Sequence, residues 1–600
     1  MIRRSPTAKH APKHIGVRAA AWLCVALAGA VVAVAAPANQ TTVPADLVLS
    51  GGAIYTVDAA RSWAEALAVR GGRIVYVGSD DGAKAWIGPS TRIVELGGRF
   101  VLPGFHDSHL HPISGGMRTL HCELSGATTA AEVLERVRAY AAAHPDRPWV
   151  VGRGWELPLF PAGNPRKEAL DAVVSDRPVY LTAADGHSAW VNSRALSLAG
   201  VTAATPDPPL GRIERDPKTG EPSGTLREEA KVLLSRLLPE TTQAERRAGL
   251  ENAIQLAHRA GLVGLFDASV DAIELPVYRD LDREGGLAMH IGIGLYVDPE
   301  KPFAPQLAEL LALRKEGWGP HVHLTAAKLY ADGVIESGTA ALLAPYLDRG
   351  DSRGVLEWDE AALREAAIAL DREGFQLHVH AIGDRAIRVT LDTIEAVRRS
   401  NGPRDRRPTL AHIELFDPMD IARFRTLGAI ASFQPLWAWA DPYIRDLTEP
   451  QLGPARSRWL YPIGSVAASG TVVAGGSDWS VSSMVPLEGI EVALTRRGPN
   501  EGPGPAWIPQ ERASLATMLA AYTIGSAYAA YNERETGSLE PGKAADVIVL
   551  DRNLFAIPPH EISETKVLLT LFAGREVYRD PGMPSSVSTI STVPPVSRPQ

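Results

Sequence analysis

Cysteine is nearly absent: Cys24 and Cys122 are the only two among 600 residues. Cys24 lies inside an apolar N-terminal run, so the rest of the chain carries one thiol and no disulfide framework, whatever its compartment. Basic runs are missing beyond the first residues, and the net charge is −8. Together these exclude an electrostatic nucleic-acid surface. Only one long hydrophobic run occurs, Ala19 to Ala35, which is at the short limit for crossing a bilayer and is rich in Ala. Neither a GxSxG nucleophile elbow nor an HExxH helix is present, so neither a serine hydrolase nor a helical metalloprotease is supported. Gly537–Ala544 comes within one residue of a phosphate-binding loop. It ends in Ala where a Mg²⁺-binding hydroxyl is needed and no buried strand feeds it, so it reads as a turn.

What is present is ordinary for a globular protein, at 45% hydrophobic and 22% charged residues, and long enough for one large domain with an accessory one. Arg3, Arg4, Lys9, Lys13 and Arg18 precede the apolar run, and Ala36-Pro-Ala-Asn follows it. That order of basic, apolar and small residues predicts a signal peptide over 1–38, cut near Ala36 or Ala38, and an exported protein, periplasmic or extracellular; a retained anchor is the competing reading. Cleavage takes five positive charges from the −8 total and leaves −13, with no membrane contact afterwards.

Short β runs around Gly-Gly turns fill 45–100 and recur at 535–580, and the two ends are expected to pair into one small β-sandwich. Between them, apolar runs alternate with helical spacing, as in Ala361–Arg372 and Ala386–Arg399. The β runs begin near Phe100, Val263, Ala288, Leu324, Phe375, Thr409, Ala429 and Thr471. The fold class is therefore α/β, a (β/α)8 TIM-like barrel over 101–534, with a long insertion at about 116–250 after its first strand. The last residues, 581–600, are rich in Ser, Pro, Thr and Val and read as a disordered tail.

The organising stretch is Val101-Leu-Pro-Gly-Phe-His-Asp-Ser-His-Leu-His-Pro112. His109 and His111 stand two apart, so on an extended backbone both imidazoles point to one side, a geometry suited to a borderline-soft divalent ion with zinc the first choice. Each later candidate ends an apolar run, where a barrel enzyme keeps its chemistry. Lys328 lies in Leu324-Thr-Ala-Ala-Lys-Leu-Tyr, His378 and His380 in Phe375-Gln-Leu-His-Val-His, His412 after Thr409-Leu-Ala, and Asp478 after Val472-Val-Ala-Gly-Gly-Ser. Singly these residues suit structural roles; together they supply donors at the ends of five separate strands.

This order, with Pro103–Pro112, Lys328–Gly333, His380–Asp384 and Gly476–Trp479, resembles the amidohydrolase superfamily. The matching branch is its amidohydrolase-3 group (YtcJ-like, N-substituted formamide deformylase-like), from about residue 45 to 580. The resemblance implies that His109 and His111 bind the more buried metal. It implies that Lys328, as a carbamate derived from CO2, bridges to a second metal on His380 and His412. Asp478 would touch the first metal and act as base. His378 shares the strand face of His380 and is the main ambiguity, and an unmodified Lys328 would leave a one-metal site. The expected chemistry is hydrolysis of a C–N bond in a small amide other than a peptide, by water that a Zn²⁺ ion makes acidic. His187 is expected to help polarise the carbonyl, and Trp155, His187 and Trp190 to line the pocket. With no cationic cluster to hold a charged substrate, a neutral, partly apolar amide is expected. The same centre acting on an ester, lactone or carbon–halogen bond is the alternative, as is an inactive exported binding protein. A homodimer is left open.

Overall fold

The computed structural model describes residues 43–184, 188–208 and 211–583. The expected signal peptide and all but the first residues of the expected tail lie outside them. No helix among the described residues is long and apolar enough to cross a membrane.

Eight parallel strands follow one another in sequence order around a nearly closed barrel. They are β1 (Phe105–Leu110), β2 (Leu262–Val270), β3 (His290–Tyr296), β4 (Val322–Tyr330), β5 (Gln376–Ala381), β6 (Thr409–His412), β7 (Ile430–Phe433) and β8 (Val473–Gly475). Most are buried along their whole length, as expected for strands covered on both faces. Helices Glu360–Arg372 and Asp384–Asn401 flank β5 and bury the apolar faces legible from their spacing.

β1 and β8 are the two ends of the hydrogen-bonded ladder, and the seam between them closes just beyond it. Asp478 N donates to His109 O at 2.7 Å, and His111 N donates to Trp479 O at 2.8 Å. The buried Asp107 carboxylate spans the same seam, accepting from His109 N at 3.0 Å and Ser477 N at 3.1 Å. Gly476 allows the approach: a Cβ there would meet the His109 Cβ at 3.0 Å.

Seven strands start within two residues of the expected positions; the first does not. Phe100–Pro103 is not barrel but sandwich, paired parallel with Ala53–Tyr55 and antiparallel with Val547–Leu550. The chain changes sheets at Gly104, where a Cβ would lie 2.4 Å from a Val263 methyl. The six-stranded sandwich sheet thus interleaves both ends of the chain, with Phe100–Pro103 beside Val547–Leu550. A four-stranded sheet from residues 47–95 shares a core with it, in which Leu47, Val69, Val101, Val547 and Leu571 pack.

The insertion after β1 forms its own six-stranded mixed sheet, from Cys122–Glu123 to Pro222–Glu228. It ends earlier than the sequence suggests. Gln243–Arg259 is already the barrel helix that feeds β2, started by a Thr242/Glu245 capping box. It crosses helix Pro112–Thr119 at two glycines, since a Cβ on Gly116 would fall 1.9 Å from the Gly249 carbonyl oxygen. The first turn of this helix is polar and its buried face begins at Gly249, which hid the true boundary.

Candidate metal centre

The strand ends bring His109, His111, Lys328, His380, His412 and Asp478 around the barrel mouth. His109 and His111 leave β1 on one side, with ring centroids 5.6 Å apart and planes perpendicular. Asp478 reaches them from beyond β8 with a left-handed backbone, φ 53°, while its N–H makes the seam hydrogen bond. One of its oxygens, Oδ1, lies 3.1 Å from His111 Nε2 and 3.7 Å from His109 Nε2. Donor atoms of these three residues all fall within 4.8 Å of one another.

His412 ends β6 with its ring centroid 4.5 Å from those of His109 and His380. Its Nδ1 donates to Gln434 Oε1 at 3.0 Å, which leaves Nε2 with a free lone pair. The ring is stacked on Trp437, 5.7 Å away and 5° from parallel. His380 Nε2 donates to the Gly333 carbonyl at 3.1 Å, so its free lone pair is on Nδ1. His378 has a different place. Its Nε2 lies 3.0 Å from His109 Nδ1, and its ring stacks on Phe266 at 4.8 Å. It stands behind His109 and orients that ring, while His380 faces the mouth.

Lys328 lies two residues before the end of β4 and is fully buried, with Nζ lacking any hydrogen-bond partner. Burial pulls its pKa down to about 7, against the opposing charge of Asp478. His109 Nε2 is likewise buried and unpartnered. Burial drives the imidazoles of His109, His378 and His412 well below their usual range and that of His380 to about 3, so all four are neutral. His111 differs: burial opposes its charge, but Asp267 and Asp478 hold it up to about 9. Neutral imidazoles, a carboxylate and a deprotonable lysine, two of them with orphaned nitrogens, are a donor set that a divalent ion satisfies.

Several supporting residues escaped the sequence reading. Asp267, the only charged residue of β2, lies 3.8 Å from His111 Nδ1 and accepts from the Tyr278 hydroxyl at 2.6 Å. A lone carboxylate in an otherwise small and apolar strand was its signal. Asp332 accepts from the backbone N–H groups of Ala341, Ile382 and Gly383 and braces the loop after β5. Gln434 fixes His412 but carries no distinguishing pattern in sequence.

The mouth opens into a cavity of about 570 Å³ that includes His109, His111, His380, His412 and Asp478 in its lining. Glu414, two residues beyond His412, also lines it; its burial, reinforced by the charge of Glu336, raises its carboxyl well above the usual range.

Residues 92–578 match the family model described as the Amidohydrolase family. The chain belongs to the amidohydrolase family. This amidohydrolase is 31% identical over 534 residues to the YtcJ protein of Bacillus subtilis, covering 88% of this chain and 98% of that one. It is 28% identical over 562 residues to the N-substituted formamide deformylase of Arthrobacter pascens, covering 90% and 99%. Among solved structures, an uncharacterized metal-dependent hydrolase from Pyrococcus furiosus superposes with a TM-score of 0.68 at 26% identity, covering 84% of this amidohydrolase and 99% of that chain. The family and this likeness establish the TIM-like barrel and a metal-dependent hydrolase as the class of protein.

Of the residues expected to line the pocket, His187 lies outside the described residues. Trp155 and Trp190 are fully buried in the insertion's own core, edge to face at 6.1 Å and packed with Phe160. Their indole N–H groups donate to Leu181 O at 3.0 Å and Arg166 O at 3.1 Å, so both rings are satisfied structural elements rather than cavity wall. Trp155→Ala is therefore expected to cost about 3–5 kcal/mol of stability and to leave KM near the wild-type value. Denaturant unfolding with KM measured on the folded fraction checks this; a raised KM at unchanged stability would return Trp155 to the substrate.

Proposed function

We propose that this amidohydrolase cleaves the C–N bond of a small non-peptide amide, with N-substituted formamides and cyclic amides as the substrate classes. The observation that carries the reading is the convergence of Asp478 on His109 and His111 at the mouth, beside an unpartnered buried lysine. The formamide class is supported by the deformylase relative, which is similar along nearly the whole chain.

The residues that would hold zinc are His109, His111 and Asp478 for one ion, and His380 and His412 for a second, with Lys328 as a carbamate between them. When bound, zinc supplies a Lewis acid that lowers the pKa of water and polarises a carbonyl. Asp478 accepts the proton that the attacking water gives up and returns it to the departing nitrogen, so that the amine leaves neutral. The seam hydrogen bond from Asp478 N fixes that carboxylate 3.1 Å from the His111 ring. His378 keeps the His109 lone pair turned inward by accepting from Nδ1, and Gln434 does the same for His412. Burial leaves Lys328 substantially neutral near pH 7, the form in which an amine takes up CO2. The order of residues at 1–38 supports an exported enzyme.

The test combines metal analysis of the purified protein with a screen of N-formyl, N-acyl and cyclic amides against esters and lactones. One or two bound ions and turnover of an amide are expected. A metal-loaded protein that hydrolyses esters or lactones and no amide overturns the C–N assignment, and a protein that takes up no metal overturns the centre.

A further inference from the structure

The cavity at the barrel mouth is apolar where it opens to water. Val334, Tyr443 and Val481 line it and are 39%, 66% and 67% exposed. They come from three different loops, after β4, β7 and β8. A lone exposed Val or Tyr is ordinary on a protein surface. Three that separate loops carry to one opening form a patch, and such patches mark ligand grooves. The buried side chains of Ile382 and Ile444 continue the wall, with the half-buried Trp437, whose ring lies against His412. Two acids in the same lining already have donors from the protein. Glu336 Oε1 accepts from the Thr448 hydroxyl at 2.5 Å, and Asp441 Oδ1 accepts from Ile444 N at 2.8 Å.

Size points the same way. A formamide head and its attacking water amount to four water-sized groups, roughly 120 Å³ at ~30 Å³ each. The cavity holds about 570 Å³. A formamide carries only hydrogen on its acyl side, so the remaining space belongs to the substituent on nitrogen. Covering the exposed rim then removes apolar surface of both partners from water. We propose that the cavity selects amides with a long apolar N-substituent, an alkyl or alicyclic group of roughly six or more carbons. This group runs from the metal centre out between Val334, Tyr443 and Val481. The proposal rests on the amide hydrolase reading above and adds to it the size of the group on nitrogen and the side chains that grip it. The neutral, partly apolar amide expected from sequence followed from a missing basic cluster and named neither.

The test uses the metal-loaded full-length enzyme and the N-methyl, N-butyl, N-hexyl and N-octyl formamides. Burial of the chain predicts a kcat/KM that rises about two- to fourfold per methylene. N-(5-hydroxypentyl)formamide, equal in length to the hexyl compound, is expected to fall about tenfold or more below it, because its hydroxyl enters an apolar wall. Tyr443→Ser and Val481→Ser, at exposed positions, are each expected to lower the octyl-to-methyl ratio by about threefold or more. Calorimetry gives a readout free of turnover, with 1-hexanol expected to bind saturably where 1,6-hexanediol does not. A kcat/KM that does not rise with chain length, a ratio unchanged in the variants, or equal binding of hexanol and hexanediol overturns the proposal. Self-association that the same variants abolish assigns the rim to a second copy of the chain and overturns it as well. If none of the formamides is hydrolysed, the amide reading fails by itself and the hexanol titration still decides the apolar channel.

Discussion

Asp478→Asn is expected to lower kcat by about 10²–10⁴-fold, the range that general acid–base catalysis supplies, while bound metal stays at the wild-type level. The substitution keeps the shape of the side chain and one oxygen for an ion, and the backbone N–H that binds His109 O is untouched. On the proposed mechanism it removes the ability to take a proton from water and pass it to the leaving nitrogen. Metal content by elemental analysis and kcat on the best amide found are the two measurements. Wild-type turnover in this variant would remove Asp478 from the role of base. Loss of metal together with turnover would reduce it to a ligand.

His109→Ala is expected to lose both, with turnover falling to background and metal no longer retained through gel filtration. His109 offers its Nε2, a buried nitrogen with no partner of its own, at the centre of the cluster. Its removal also strips His378 of the partner at 3.0 Å and opens a void under the mouth, at a cost of about 1–3 kcal/mol for a buried group left unsatisfied. Thermal melts with and without zinc separate the two effects. Ion binding raises wild-type stability by about 2.7 kcal/mol at a hundredfold excess over Kd, and the variant should show no such rise. A variant that melts higher with zinc and keeps its ion would show that His111 and Asp478 suffice without it.

The gathering of these side chains at one mouth was legible in sequence because each is a local event. A spacing of two in His109 and His111, a lysine in an apolar strand and an aspartate after Gly-Gly-Ser each mark a strand end, and a barrel gathers strand ends at one mouth. What depends on pairing partners was not legible. Phe100–Pro103 and Phe105–Leu110 are both apolar at the start and β-like, and only the distant strands beside them assign one to the sandwich and the other to the barrel. Trp155 and Trp190 sit near polar motifs that suggested a pocket, yet long-range packing within the insertion buries them. Glu336 and Asp441 lie outside the strands, with no periodicity to reveal that the fold turns them into one cavity.

The seam between β1 and β8 has a consequence for synthesis. Asp107 and Ser477, which clasp across it, are 370 positions apart. The ribosome therefore delivers the paired imidazoles long before the carboxylate that completes their cluster. A nascent or truncated chain that lacks β8 offers the His109–His111 pair no Asp478 carboxylate. On the proposed reading, an ion held by His109, His111 and Asp478 would be a non-covalent rivet joining the earliest and latest parts of the barrel to be made.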